Sequence, residues 1–431
     1  MGRDDSSSFR GIFAVREFTF LWLAHVLSVA GDQIAKVAIT VVVYDRTASA
    51  GLAAATYAIS YVPDLVGGSV LAGLADRYSR RAVMVAADLA RAALVAVMGV
   101  PGVPLWSQVV LLVGVQVLAA PFGAARQAAL PDVLNGDQLV KGLGILSGTY
   151  QIALVAGFGA GGGVIAGLGT GGALWADAAT FAVSAALIRF GLGRHEPATD
   201  APARAGNRRT PVLAGWVRVA RNPRLRSLLA IACCAGFYVV PEGIAVPYAA
   251  QLGVGAAGVG WLLAANPLGT VLGVLVIGRL PAAARLRLLG PLAVGSSLVL
   301  LPTGSVPGLI VTVLLWMISG ACSAHDMITQ AEYVGSVSRD ERALVVGVAI
   351  AALRVAQGAG IVLAGLVAQI LAPSLVIAGA AALGTVGAAA AATAWARANR
   401  SAAASGHDGT TMFGGGAAPT PSPGASPQPP D

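Results

Sequence analysis

Twelve apolar runs, each about the length of a membrane-crossing helix, dominate this sequence, and the connections between them are alternately basic and almost free of positive charge. A spanning helix needs about 20 consecutive apolar residues. The runs cover 18–43, 51–74, 82–99, 105–125, 143–168, 171–191, 227–250, 256–278, 285–303, 306–328, 343–370 and 373–396. Glycine and proline punctuate their ends, at Pro101, Pro104, Gly169, Gly172, Pro302, Pro307 and Pro373. Charged residues make up 11% of the 431-residue chain, against about 25% in soluble domains. Water cannot be its main environment.

Charge sets the orientation. One set of connections holds Arg3, Arg10 and Arg16; Arg77, Arg80 and Arg81; Arg126 and Lys141; Arg194 through Arg226; Arg279, Arg285 and Arg287; Arg339 and Arg342; Arg397 and Arg400. The opposite set holds only Arg46. Positive charge stays in the cytoplasm, so both termini are expected there and the membrane is expected to be the cytoplasmic one. Trp106, Trp175 and Trp261 fall at outer helix ends, where an aromatic belt belongs. The net charge of +8 lies between apolar runs rather than on a polar domain, which points away from nucleic acid.

The chain also reads as a diverged repeat. Gly73 matches Gly278, Arg80 and Arg81 match Arg285 and Arg287, and Gln127 and Ala128 match Gln330 and Ala331, all at one offset of about 203–206 residues. The expected fold is therefore an all-α membrane protein, with twelve transmembrane helices in two pseudo-symmetric six-helix bundles. A cytoplasmic N-terminus (1–17) leads into the first bundle (18–191). A linker (192–226) joins it to the second bundle (227–396), and a cytoplasmic tail (397–431) follows. Within the linker, Thr210 and Pro211 read as a helix start. Val212, Leu213, Trp216, Val217 and Ala220 then form an apolar stripe suited to the membrane surface; the alternative is an unstructured basic linker. After Arg400 the tail is too poor in apolar residues to fold and reads as disordered.

No enzyme is expected. The chain has no G-x-x-x-x-G-K-[ST] loop, no suitable G-x-S-x-G elbow and no H-E-x-x-H. Cys233, Cys234 and Cys322 lie in apolar stretches without metal-ligand spacing, so neither metal nor cofactor is expected. The first run is too long for a cleaved signal peptide and lacks an A-x-A site.

An ionisable residue inside a span costs roughly 2.5–3.5 kcal/mol on insertion scales, which makes each one a functional candidate. The first run carries His25, Asp32 and Lys36 on one helical face. Asp32 has two readings: a proton-coupling carboxylate, or a permanent structural partner of Lys36. Glu242 in the seventh run falls near Lys36 on the repeat offset and is the second proton-coupling candidate, able to meet Lys36 as an outer-side latch. Asp88, Arg91 and Arg354 read as structural intramembrane charges, with Asp88 and Arg91 paired at i, i+3. Asp64, Asp177 and the His325–Asp326 pair complete the set.

The segment Gly73-Leu-Ala-Asp76-Arg77-Tyr-Ser-Arg80-Arg81, directly after the second run, resembles the G-x-L-a-D-R-x-x-R-R/K signature of the major facilitator superfamily. Leu27-Ser-Val-Ala-Gly-Asp32, the Asp88–Arg91 pair and Pro121-Phe-Gly-Ala-Ala-Arg126-Gln-Ala-Ala-Leu-Pro131 resemble its drug, macrolide and siderophore exporters. The resemblance covers roughly residues 10–400. It implies that Gly73, Asp76, Arg77, Arg80, Arg81 and Arg126 form a cytoplasmic latch between the two halves. It also implies proton-coupled efflux of a lipophilic or amphipathic small molecule. The cavity would be lined from spans one, four, seven and ten, by His25, Asp32, Lys36, Gln116, Tyr238 and Glu242. Expected partners are the small-molecule substrate, protons and the lipid bilayer, with the chain acting as a monomer. The glycine-rich stretch Gly157–Gly163 lacks the proline that antiporters often carry in span five, which keeps an importer of the same fold open. A receptor, a membrane-bound enzyme and the permease of an ATP-driven system are further classes; the buried charges and the missing catalytic set speak against the first two.

The topology is testable with reporter fusions. A phosphatase active only outside the cytoplasm is expected to be inactive when fused within 192–226 and active when fused at Arg46. Activity at the linker would break the assignment.

Overall fold

The computed structural model describes residues 9–61, 78–193 and 212–408. Gly73, Asp76 and Arg77 of the expected latch, with Asp64, Thr210 and Pro211, lie outside them. Among the described residues nine helices are long and apolar enough to cross a membrane, one of which, Gln138–Gly191, holds two crossings. With Arg80–Met98 and the nine described residues of Ala50–Ala58, the described helices are consistent with the expected twelve.

Helix α1 runs Arg16–Thr47 and stops where Ala48 turns left-handed. Ser49 then caps α2 (Ala50–Ala58) by accepting the Leu52 backbone N–H. Helices α3 (Arg80–Met98) and α4 (Leu105–Val133) follow. The chain next runs through α5 (137–168) and α6 (170–191), which meet at Gly169. That residue has φ 70° and ψ 175°, a conformation open to glycine and costly for residues with a Cβ.

The second bundle holds α7 (223–251), α8 (Ala256–Gly278), α9 (Ala282–Leu298), α10 (309–335), α11 (Arg339–Val367) and α12 (Pro373–Asp408). Two of these are broken. Helix α7 consists of Pro223–Cys233, Ala235–Tyr238, Val240–Gly243 and Ala245–Gln251. Pro241 and Pro247 each lack an N–H and crowd the carbonyl four residues back, at Phe237 and Gly243, next to where two of those pieces end. Helix α10 divides at Ala324 into Leu309–Ser323 and His325–Gly335.

The cores show how the bundles meet. At the end remote from the basic connections one buried apolar cluster runs through both halves, with Val37, Ile39, Tyr57 and Phe158 meeting Ile244, Leu262 and Ile361. At the basic end the core divides. Phe18, Met84 and Leu130 belong to the first bundle, and Leu228, Leu289 and Val345 to the second.

Glycine makes the shared end possible. A Cβ on Gly162 of α5 would lie 2.6 Å from the Ala256 carbonyl and 2.8 Å from the Gly260 Cα of α8. On the other flank a Cβ on Gly365 of α11 would meet the Ala50 carbonyl at 3.2 Å and the Gly51 Cα at 3.3 Å. Backbones that approach this closely gain dispersion along their whole length, the means by which helices associate in lipid. Gln369 adds a 3.3 Å hydrogen bond to Ser49 across the same seam.

A helix occupies Val212–Arg221 in the linker. Gly215 packs against Leu344 and Val348 of α11, while Trp216 and Val217 remain exposed. The described start of the tail, 401–408, differs from the expected disorder: it continues α12 to Asp408, because 401–405 is mostly alanine, the strongest helix former. Trp106, Trp175 and Trp261 are exposed at the shared-core end.

The closed end is predicted to depend on these glycines. In a background without the three native cysteines, Ser49→Cys with Gln369→Cys should crosslink readily. Adding Gly260→Trp should lower the yield roughly tenfold, a bias of about 1.4 kcal/mol; an unchanged yield would show that the seam does not require close approach.

Candidate functional site

Between the bundles lies a cavity of about 850 Å³. Its wall takes Gln33 and Lys36 from α1, Tyr57 from α2, 147–158 from α5, Tyr238 and Glu242 from α7, 266–275 from α8, 323–330 from α10 and Arg354 with Gln357 from α11. On α5, α8 and α10 these stretches extend from mid-helix toward the basic end. The cavity thus extends toward that end and stops at the shared core.

Its charges are held by aromatic residues. The Tyr57 hydroxyl donates to Glu242 Oε2 at 2.9 Å, a bond that joins the first bundle to the second. The Lys36 ammonium lies 5.1 Å from the Tyr57 ring centroid and 5.8 Å from that of Phe158. One turn along α7 from Glu242, Tyr238 donates to Asp326 Oδ2 at 2.5 Å. Asp326 keeps 44% of its side chain accessible. Arg354 donates to Gln357 at 3.1 Å and its guanidinium stands over the Tyr61 ring. Two carboxylates and two cations therefore share a wall that is otherwise apolar or neutral, including Leu154, Phe158, Val271 and Met327.

Of the six residues expected to line the cavity, Lys36, Tyr238 and Glu242 do so. His25, Asp32 and Gln116 do not. His25 is buried behind Tyr150, its ring parallel with centroids 6.4 Å apart, and Arg126 lies against it. Gln116 is buried on α4, a helix that contributes nothing to the lining. Asp32 turns toward α3 and pairs with Arg91 instead of facing the cavity beside Lys36. Arg354, read from sequence as structural, lines the cavity. Sequence reasoning passes over Tyr57 and Tyr61, because tyrosines in an apolar run look like packing, and it counts Asp326 among the intramembrane charges without placing it in the cavity.

Arg91 is the centre of a second polar group, buried within the first bundle. It donates to Ser28 Oγ at 3.0 Å, pairs with Asp32, and stands 3.6 Å from Asp88 and 4.1 Å from the Phe181 ring centroid. Asp88 also accepts from Ser184 at 2.5 Å. The expected pairing of Asp88 with Arg91 is thus one side of a larger knot.

The described latch residues make contacts inside the first bundle. Arg80 pairs with Asp132 at the end of α4, and Arg81 donates to the Leu192 carbonyl at 3.0 Å.

The sequence model of the Major Facilitator Superfamily matches residues 21–246. No curated protein sequence matches. Solved structures share the fold. A mutant of the nucleoside transporter NupG superposes with a TM-score of 0.70 at 12% identity, covering 89% of this chain and 99% of that one. A bacterial homologue of the human lysosomal transporter Spinster, inward-facing and unoccupied, gives 0.60 at 16% identity over 89% and 95%. A mutant of the peptide transporter POT, in complex with alafosfalin, gives 0.64 at 14% identity over 91% and 95%.

The Arg91 knot carries a stability prediction. Arg91→Ala strips the charge partner from buried carboxylates and should destabilise the protein by about 3–5 kcal/mol. Asp32→Asn added to it should restore part of that loss. Equal thermal stability of wild type and Arg91→Ala in detergent would contradict the pairing.

Proposed function

Because this multi-pass membrane chain belongs to the Major Facilitator Superfamily, a family of transporters rather than enzymes, we propose that it is a proton-coupled secondary transporter exporting a lipophilic or amphipathic small molecule. Alternating access between the two bundles exposes the site to each side in turn. The observation that carries this reading is the cavity: about 850 Å³, within the roughly 300–1,000 Å³ of small-molecule sites. It is sealed at one end by cross-bundle backbone contacts. Its apolar wall suits a lipophilic body, and its tyrosine-held charges suit polar ends.

The basic end lies in the cytoplasm by the positive-inside rule. The cavity then faces the compartment from which an exporter collects its cargo. Both termini are cytoplasmic, the membrane is the cytoplasmic membrane, and the transporter works as a monomer.

Glu242 and Asp32 are the proposed proton-coupling carboxylates. Glu242 accepts the Tyr57 hydroxyl across the outer seam, and a carboxylate accepts more strongly than a carboxylic acid. Protonation of Glu242 therefore loosens the closed end. Gly73, Asp76, Arg77, Arg80, Arg81 and Arg126 are the proposed cytoplasmic latch, with Arg80 exchanging Asp132 for a second-bundle partner as that end closes. A second reading, import of a polar metabolite, is favoured by the balanced charges of the cavity and by structural neighbours named as nucleoside and peptide transporters.

Proton flux separates the two. In inverted vesicles with an acid interior, one of a panel of lipophilic antibiotics and siderophores should drain the gradient in wild type. The rate should fall at least roughly tenfold in Glu242→Gln and in Asp32→Asn, equivalent to about 1.4 kcal/mol of barrier. No response to any compound, with uptake of nucleosides or peptides by right-side-out vesicles, would replace export with import.

A further inference from the structure

Arg91 does not balance the charges around it. The charged groups facing Asp177 of α6 are Asp32 from α1 and Asp88 and Arg91 from α3; its own helix adds the Thr180 hydroxyl. Asp32 and Asp88 contact the guanidinium directly, and Asp177 lies within electrostatic reach of all three without an ion pair of its own among the described residues. Asp88 and Asp177 have no accessible surface and Arg91 has 1%. A buried ion keeps its charge only where it is both paired and hydrogen-bonded.

The hydrogen bonds are shared unequally. Asp32 takes Arg91 directly, and Asp88 takes Ser184 with Arg91 at 3.6 Å. Asp177 has only the Thr180 hydroxyl, 3.2 Å from Oδ1 and shared with the Asp177 backbone carbonyl at 2.8 Å, while its Oδ2 is buried with no hydrogen-bond partner. An inaccessible carboxylate oxygen without a hydrogen-bond donor, beside surplus negative charge, is where a proton is held.

We propose that Asp177 is a neutral carboxylic acid in the resting protein, and that Asp32, Asp88 and Asp177 around Arg91 form a proton-binding site that exchanges with solvent through Asp32. Asp32 is the member of the four with accessible surface, 20% of its side chain, and its neighbour Gln33 lines the cavity, the nearest route to solvent. The exchange moves one proton between a carboxyl group and water; Arg91 stays charged and no other bond changes. The proton rests on Asp177, the buried carboxylate with the fewest hydrogen bonds. The site lies inside the first bundle, apart from the cavity carboxylates Glu242 and Asp326. Helix α1 joins them, because Lys36 in the cavity wall stands one turn from Asp32. Its part in transport rests on the coupling proposed above; its existence does not.

The test is infrared spectroscopy of the purified full-length protein in lipid nanodiscs, with aspartates isotope-labelled at the side-chain carboxyl. At neutral pH the wild type should show a protonated-carboxyl band that the label shifts. Asp177→Asn, which mimics the neutral acid, should fold normally and lose that band, and Glu242→Gln should keep it. Asp32→Asn should slow its exchange in heavy water. No label-shifted band in wild type, or a band that survives Asp177→Asn, overturns the proposal. Should Asp177→Asn not fold, Thr180→Val reads the same site, since losing the hydroxyl beside Oδ1 should move the band; an unmoved band places the proton elsewhere and overturns the assignment. A correct band together with no proton flux in wild-type vesicles would remove the coupling and leave the site standing.

Discussion

Hydrocarbon offers a backbone no hydrogen bonds and a charge no solvation, so everything inside the membrane must be satisfied from within the protein. That constraint accounts for the helices, and it also accounts for how they are held. Arg91 draws side chains of α1 and α3 around one guanidinium and stacks on Phe181 of α6. Across the bundles no such charge knot is needed, because Gly162 against Gly260 and Gly365 against Gly51 let whole backbones touch. Polar groups fix the interior of the first bundle, and small residues fix its contact with the second.

The same rule shapes the cavity. Each charge in its wall rests on an aromatic ring or hydroxyl: Lys36 on Tyr57 and Phe158, Glu242 on Tyr57, Asp326 on Tyr238 and Arg354 on Tyr61. An aromatic neighbour stabilises an ion without cancelling it.

The sequence carries the span count and the two-part organisation, since both depend on one-dimensional signals: run length, alternating arginine and a repeated offset. It carries less of the site, because hydropathy does not say which way a face turns inside a bundle. Asp32 and Lys36 lie four residues apart and share a stripe, yet α1 is surrounded, so one meets Arg91 and the other the cavity. Gln116 has the right chemistry on a helix that turns away from the cavity. Tyr57 and Tyr61 are hidden because an aromatic residue in an apolar run carries no mark of facing water. The tail differs from expectation for another reason: low hydrophobicity argues against folding, but alanine needs no core to continue an existing helix.

The two bundles differ mechanically. In the first, α1 runs unbroken for 32 residues and is cross-braced at Arg91. In the second, prolines cut α7 into short pieces, and the two pieces ending at Tyr238 and Gly243 carry Tyr238 and Glu242 into the cavity. A jointed rod bends at its joints before its ends move. The second bundle is thus the compliant partner, and the first is the anvil against which it flexes. Ligand contact at α7 would be taken up first as a local hinge movement there, beside a bundle braced at Arg91.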